Sequence, residues 1–310
     1  MGRLIILVQI LLLAQSAVAT TTKFVAFGDA PYFEGSDKMM SKLIEQVRSN
    51  KADFVVHVGD LGGGEPPCTL PYLEKTKKLF NSFPVPFIYT PGDNDWTDCH
   101  RVDVDPMKAL ANVRKTFFST AWSLGTNKFP VQQQSLMSTF TKSSENLRWL
   151  KNEIQFVTLH IVGSDNNIIM PEEHQGRMLA TLTWLKDTFE TATVKKVKAM
   201  VIVMHANPGF EKKPEDRKGF ESFIAALKKH VIEFKKPVLL IQGDHHKLII
   251  DHPIMAQTPY DMEWPLPNFT RLQVYGAPDI RGVEVSVDPE KQQPFGFRSL
   301  QHIVWEYPEE

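Results

Sequence analysis

The sequence predicts an α/β fold, and two observations predict it. Short β-branched or apolar runs alternate with amphipathic segments along most of the chain, as strands joined by helices do. The residues able to do chemistry stand directly after the apolar runs, where an open α/β sheet gathers them into one crevice.

The elements are expected in the following order. A strand at 24–27 leads to a helix at 37–49, whose Met40, Leu43, Ile44 and Val47 share one face. A strand at 54–58, a helix at 71–82, a strand at 86–89 and a helix at 106–118 repeat that order. The polar stretch up to Asn146 reads as surface loop. A strand at 154–162 precedes a helix at 172–189, where Met178, Leu182, Leu185 and Phe189 keep helical spacing. Next come a strand at 200–204, a helix at 214–230, a strand at 238–241 and a strand at 247–250 that turns back. Beyond the prolines at 253, 259, 265 and 267, runs at 269–275, 283–287 and 300–305 suggest an antiparallel finish. No repeat or flexible linker interrupts the pattern. Residues 20–310 therefore read as a single domain, with a motif-bearing core at 24–250 and C-terminal strands within 269–306.

Composition narrows the class. Of 310 residues, 42% are hydrophobic and 10% aromatic, enough for a large core, which excludes disorder, collagen and a polytopic membrane protein. Lys and Arg number 35 against 36 Asp and Glu, a net charge of -1, and basic pairs such as Lys77-Lys78 and Lys228-Lys229 fall in predicted helices rather than one stripe. The chain carries no nucleic-acid-binding signature.

Residues 1–19 differ from the rest: Arg3, the apolar run 4–14 and the small-residue pattern Ala17-Val18-Ala19 form a secretory signal peptide. The alternative is a retained anchor, but a span needs about 20 apolar residues, and Gln9 and Gln15 break this run. A secreted or extracellular location is expected, with no stable membrane anchor after cleavage. Both cysteines, Cys68 and Cys99, lie beyond the leader, so in an oxidising compartment they are expected to join. Asn268-Phe269-Thr270 is a glycosylation sequon if the source is eukaryotic.

Five polar clusters end the apolar runs. They are Gly28-Asp29, Gly59-Asp60, Pro91-Gly92-Asp93-Asn94-Asp95-Trp96, His205, and Gly243-Asp244-His245-His246. One Gly-Asp pair is usually an ordinary turn. Five polar ends on one sheet make a site, and Asp with His, lacking a thiolate set or a serine nucleophile motif, suits divalent ions.

In motif order and spacing across 24–250, the chain resembles the calcineurin-like metallophosphoesterases, whose motifs are Asp-x-His, Gly-Asp-x-x-Asp, Gly-Asn-His-Asp/Glu, a lone His and Gly-His-x-His. It looks closest to a secreted branch with Gly-Asp-Asn-Asp/Glu-Trp-Thr-Asp-Cys as third motif and Gly-Asp-x-His as last. The resemblance implies a four-layer αββα sandwich of the metallophosphoesterase type, with two divalent ions (manganese, iron, magnesium or zinc). Carried over by position, Asp29 and His246 match ligands of the first ion, His205 matches a ligand of the second, and Asp60 matches the carboxylate that bridges both.

Four positions depart from the wider family. Pro31 stands at a ligand His, Asp93 at a ligand Asn, Asn94 at the His that assists catalysis, and Asp244 at the first His of the last motif. Asp93 and Asp244 retain metal-binding oxygens; Pro31 does not. With Asp29, Asp60, Asp93 and Asp244 ionised, four negative charges cancel two divalent cations. Attraction for a phosphate then depends on a cation such as Arg101 or Lys247.

The expected function is a secreted metal-dependent phosphoesterase using a metal-bridging hydroxide, acting on a phosphate-ester small molecule or phosphorylated biomolecule. Asn94 can bond a phosphate oxygen, and His245 is the candidate proton donor to the leaving group. The alternative is a catalytically weakened metal-binding or interaction protein on the same fold. His57 and His160, inside apolar runs, read as hydrogen-bonded core residues. Tyr32 suits either substrate contact or packing, and Asp98 and His100 suit either lining the pocket or, the preferred reading, a structural place beside Cys99.

Overall fold

The computed structural model describes residues 21–32, 36–65, 68–257 and 263–303. The leader expected at 1–19 lies outside them. In chain order the first units are β1 (Thr22–Phe27), α1 (Ser36–Ser49), β2 (Phe54–His57), α2 (Leu70–Asn81), β3 (Phe87–Tyr89) and α3 (Pro106–Phe117). The starts of α2 and α3 have a local cause: Thr69 and Asp105 cap them through their side-chain oxygens, and a proline stands in the first turn of each.

The following units are β4 (Gln132–Gln133), β5 (Leu147–Lys151), β6 (Ile154–Thr158), α4 (Pro171–Val194), β7 (Ala199–Val203), α5 (Glu221–Phe234) and β8 (Val238–Gln242). The chain finishes with β9 (Ile249–Asp251), β10 (Met255–Gln257), β11 (Glu263–Pro265), β12 (Phe269–Gln273), β13 (Val283–Val287) and β14 (Phe295–Ser299). Two sheets result. One has the order β14-β13-β1-β2-β3 and the other β4-β5-β6-β7-β8-β12-β9, while β10 and β11 form a separate two-stranded ribbon.

Side-chain alternation along β7 shows how the layers stack. Ala199, Val201 and Val203 join the core that also holds β1, β2, α1 and α2, whereas Met200 and Ile202 join a second core with Trp184 and Phe189 of α4 and Leu227 and Val231 of α5. Each face of the strand thus has its own apolar partner, so β7 reads as one unbroken hydrophobic run. Between the sheets, the Phe156 ring lies 5.8 Å from Phe24 and 5.2 Å from Phe54, both edge to face. The layers are helix, sheet, sheet, helix, as the family resemblance implies.

Several expectations are corrected. The stretch before Asn146 is not plain surface loop: Gln133, Gln134, Glu145 and Asn146 are buried, β4 lies within it, and β5 follows. The Arg114 guanidinium gives Glu145 two hydrogen bonds, at 2.6 and 2.8 Å, which is what lets a carboxylate sit there. The strand at 154–162 ends at Thr158, the helix at 172–189 continues to Val194, and the strand at 247–250 begins at Ile249. The helix expected at 214–230 starts only at Glu221, after a single 3₁₀ turn at Pro214–Asp216.

The finish is not wholly antiparallel, because β12 lies parallel to β8 and antiparallel to β9. Residues 300–303 are not a strand. The edge position beside β13 goes to Phe295–Ser299, with Phe297 opposite Val285, and the rest of the expected strand, 304–305, lies outside the described residues.

Cys68 and Cys99 form a disulfide with Cα atoms 5.8 Å apart. Asn268 donates its side-chain Nδ2 to the carbonyls of Val231 and Lys236, at 3.0 and 3.1 Å, so a glycan on that nitrogen would displace one of these bonds. Among the described residues, no helix is long and apolar enough to cross a membrane.

Candidate metal centre

Strand ends build the site. Asp29 follows β1, Asp60 follows β2, Asp93 follows β3, His205 follows β7, and Asp244 and His246 follow β8. Asp29, Asp60, Asp244 and His246 all adopt positive φ, so the chain turns sharply as it leaves each strand. Gly92 is required by close approach: a Cβ there would lie 2.0 Å from Asp60 Oδ1.

His205 stands at the centre. It is fully buried, and its Nδ1 lies 2.9 Å from the Val58 carbonyl, which can only accept, so Nδ1 carries the proton. Nε2 then faces Asp93 Oδ1 at 2.9 Å, Asp60 Oδ1 at 3.4 Å and Asp244 Oδ1 at 3.9 Å. His246 repeats the device, with Nδ1 on the Ala277 carbonyl at 2.7 Å and Nε2 3.4 Å from Asp29 Oδ1. Both imidazoles are oriented by a carbonyl behind them and offer Nε2 to carboxylates.

Two groups could hold an ion. Asp29, Asp60 and His205 form one, Asp93, His205 and Asp244 the other, and within each the candidate ligand atoms lie within 4.8 Å of one another. Five of the six expected ligands therefore stand together, and His246 joins through Asp29.

The donor chemistry fits cations. A lone pair on Nε2 and a carboxylate oxygen 2.9 Å away need a positive charge between them, whether a proton or a metal ion. One proton cannot balance Asp29, Asp60, Asp93 and Asp244 together, and oxygen-rich ligation suits hard divalent ions. Without such an ion, the titration behaviour shows the imbalance. Burial opposes charge on His205, but Asp60, Asp93 and Asp29 outweigh it and push the imidazole well above its ordinary value. Burial pushes Asp60 and Asp244 up, against the pull of His205. Burial would also raise Asp93, yet hydrogen bonds from His205 and Ser164 hold it well below the usual carboxylate range.

Asn94 turns toward Asp60 rather than standing free. Its backbone N–H donates to Asp60 Oδ1 at 3.0 Å, and its Nδ2 donates to Asp60 Oδ2 at 3.0 Å and to the Gly62 carbonyl at 2.8 Å. His245 is exposed at the rim, its Nδ1 2.8 Å from Asn207 Nδ2, while the Asn207 backbone N–H donates to Asp244 Oδ2 at 2.9 Å. Tyr32 donates its hydroxyl to Asp60 Oδ2 at 2.9 Å and sets its ring edge-to-face on His246, 5.4 Å between centroids. Arg101 is engaged by Asp98 at 2.7 Å, and Lys247 is exposed. His57 and His160 are buried and hydrogen-bonded, as expected of core residues.

Two organising residues were not anticipated. Asp95 accepts from the backbone N–H groups of Asp60, Leu61 and Gly92, and Ser164 donates to Asp93 Oδ2 at 2.8 Å. Ser164 lies in a run of four positive-φ residues ending at Asn167. Such a conformation costs about 1–2 kcal/mol per residue. A single sequence carries a weak signal for Asp95, its place in the Gly-Asp-Asn-Asp cluster, and none for Ser164.

Two sheets between helices, with Asp and His donors gathered at their strand ends, define an α/β protein with a candidate metal-binding crevice. The chain belongs to the calcineurin-like phosphoesterase family, whose description matches residues 22–248. Comparison with functionally characterised proteins gives no sequence match. Among solved structures, it is similar to a dimetal phosphatase from Danio rerio, with TM-score 0.53 and 11% identity over 91% of this chain and 99% of that one. It is also similar to a purple acid phosphatase from yellow lupin seeds, with TM-score 0.53 and 13% identity over 91% of this chain and 54% of that one. Likeness at such identities concerns the fold.

Proposed function

We propose that this chain is a secreted, two-metal phosphoesterase acting on phosphate-ester small molecules or phosphorylated biomolecules. The observation that carries the proposal is His205, fully buried, with Nδ1 committed to a carbonyl and Nε2 facing carboxylate oxygens of Asp60, Asp93 and Asp244. Asp29, Asp60 and His246 would hold one side of the centre, and Asp60, Asp93, His205 and Asp244 the other, with Asp60 shared. Divalent ions bound there supply a nucleophilic water at neutral pH and stabilise charge on the phosphoryl oxygens.

The chain's own part is to fix that geometry. Tyr32 and Asn94 restrain Asp60 Oδ2, and Asp95 restrains the Asp60 backbone, so the shared carboxylate keeps one orientation. Asn94 cannot release a proton to a leaving group at neutral pH, which favours esters with good leaving groups. His245, at the rim, is the proton donor of this reading. The leader pattern and the Cys68–Cys99 disulfide support export.

Proline at position 31 and the committed Asn94 amide favour a second reading, a metal-binding or interaction protein with weakened hydrolysis. Elemental analysis of the mature protein, followed by a phosphoester panel with added Mn²⁺, separates the two. Metal-dependent turnover lost in Asp60→Ala supports the enzyme. Bound metal without turnover of any ester supports the second reading, and a chain that takes up no divalent ion refutes the enzyme and leaves of the second reading only an interaction protein.

A further inference from the structure

The backbone after Val162 is unusual. Ser164, Asp165, Asn166 and Asn167 have φ of 48°, 50°, 54° and 56°, a left-handed turn of a kind that L-residues normally visit singly. Its surroundings over-determine it. Asn166 donates its Nδ2 to the Gly219 carbonyl at 2.8 Å, accepts at Oδ1 from Arg177 Nη1 at 2.6 Å, and accepts at its carbonyl from Arg177 Nη2 at 2.9 Å. Gly163 enters the turn pressed against the crevice, where a Cβ would lie 2.7 Å from Asp93 Oδ1 and 2.8 Å from Asp244 Oδ1.

This anchoring delivers one hydroxyl. Ser164 Oγ lies 2.8 Å from Asp93 Oδ2, and 3.1 and 3.3 Å from the two oxygens of Asp98. A serine hydroxyl has a single proton. Asp93 Oδ2 is the nearer acceptor, and Asp98 has Arg101 as its counter-charge at 2.7 Å. The Asp93 carboxylate is thereby divided: Oδ2 is bonded to serine, and Oδ1 faces His205 Nε2 at 2.9 Å.

That division matters because Asp93 stands where the resembled motif has Asn. An amide has one oxygen to offer a cation, whereas a free carboxylate has two and can swing between one- and two-oxygen binding. We infer that Ser164 is a positioning residue that occupies Asp93 Oδ2, so that Asp93 offers a divalent cation only Oδ1, as an amide would, while contributing a full negative charge. The inference rests on the metal-binding reading above.

Calorimetric titration of the mature protein with Mn²⁺ tests it without reference to turnover. Ser164→Ala is expected to weaken one of the Mn²⁺ sites three- to tenfold. In an Asp93→Asn background the same change is expected to alter affinity less than twofold, since an amide has no second ligating oxygen to restrain. A purely structural role would give the same loss in both backgrounds. Ser164→Gly separates hydroxyl from backbone: it relieves the positive-φ penalty, so it should melt above Ser164→Ala, yet show the same loss of affinity. Affinity within twofold of wild type in Ser164→Ala, an equal loss in the Asp93→Asn background, or wild-type affinity in Ser164→Gly each overturns the inference while leaving the metal reading intact. A wild-type protein that binds no Mn²⁺ overturns both.

Discussion

The backbone N–H of Asp60 donates to Asp95 Oδ2 at 3.1 Å, which ties the turn after β2 to the turn after β3. Asp95 also accepts from Leu61 N–H at 2.7 Å, Gly92 N–H at 2.6 Å and the Tyr89 hydroxyl at 2.7 Å. Two buried oxygens thus meet four donors, and the aromatic core reaches the crevice through Tyr89. Asp95 shapes the centre from behind without facing it.

Asp95→Asn should therefore destabilise the fold although it keeps the side chain's shape. The amide would place its oxygen toward Asp60, Gly92 and Tyr89 and its nitrogen toward the Leu61 N–H, leaving that one buried donor unpaired at about 1–3 kcal/mol. Urea unfolding should show a loss of about that size, together with weaker Mn²⁺ binding. An unchanged midpoint would mean that these contacts do not hold the turn.

The metal-facing part of the site was legible because its residues sit at strand ends, where short-range sequence places them. Asp29, Asp60, His205 and Asp244 each follow an apolar run directly. What decides Asp95 and Ser164 is distant: Asp165, Asn166 and Asn167 are residue types that accept a left-handed turn, but the partner that the turn delivers Ser164 to lies 71 positions away. β5 was missed for a similar reason. Its Arg148 looks like a loop residue, yet Gln132 and Asp187 bond its guanidinium and the Trp184 ring lies 4.4 Å from it. At the C-terminal edge, 300–305 is the more apolar run, but pairing with β13 chose Phe295–Ser299. Local hydrophobicity could not foresee either partner.

His57 makes stability depend on pH. It is fully buried, donates from Nε2 to the Ala30 carbonyl at 2.8 Å and accepts at Nδ1 from Gly59 N–H at 3.1 Å, a pattern only the neutral ring satisfies. Burial pushes its pKa down to about 4, partly offset by the Ala30 carbonyl and Asp29. Between about 6.5 and 4 the unfolded chain binds this proton and the folded chain does not, so the contribution is complete above about 6.5 and is lost as pH falls through 4. At 1.36 kcal/mol per unit it amounts to about 3 kcal/mol. His57→Gln, which does not titrate, should flatten the fall in unfolding free energy between pH 7.5 and 4.5 by roughly that amount; parallel curves for the two proteins would count against it.

Removing the disulfide should cost about 3–4 kcal/mol, as expected for a closed loop of this length. The cysteines are separated by 31 positions, and Cys99 packs with Trp96, Ala109, Leu110 and Val162 in a small core of its own. Cys68→Ala with Cys99→Ala keeps that core apolar, so the loss reports mainly on the cross-link. Differential scanning calorimetry should show a lower melting temperature. Equal melting temperatures would show that the surrounding contacts already hold the two segments.

Asn94→His tests the proposed leaving-group chemistry most directly. The Asn94 Nδ2 bonds both Asp60 Oδ2 and the Gly62 carbonyl, so an imidazole there must surrender at least one of those contacts, and some turnover should be lost on every ester. What an imidazole adds is a proton available near neutral pH, which helps an alkoxide leave and scarcely helps a nitrophenolate. The ratio of alkyl to nitrophenyl turnover should therefore rise, even where both rates fall. The ratio is insensitive to metal occupancy, because both esters meet the same centre. Should the ratio stay constant, either the ring does not reach the leaving group or His245 already supplies the proton. Adding His245→Ala decides between them: a ratio that then falls assigns the proton to His245, whereas a ratio unmoved in both variants removes acid catalysis from the site.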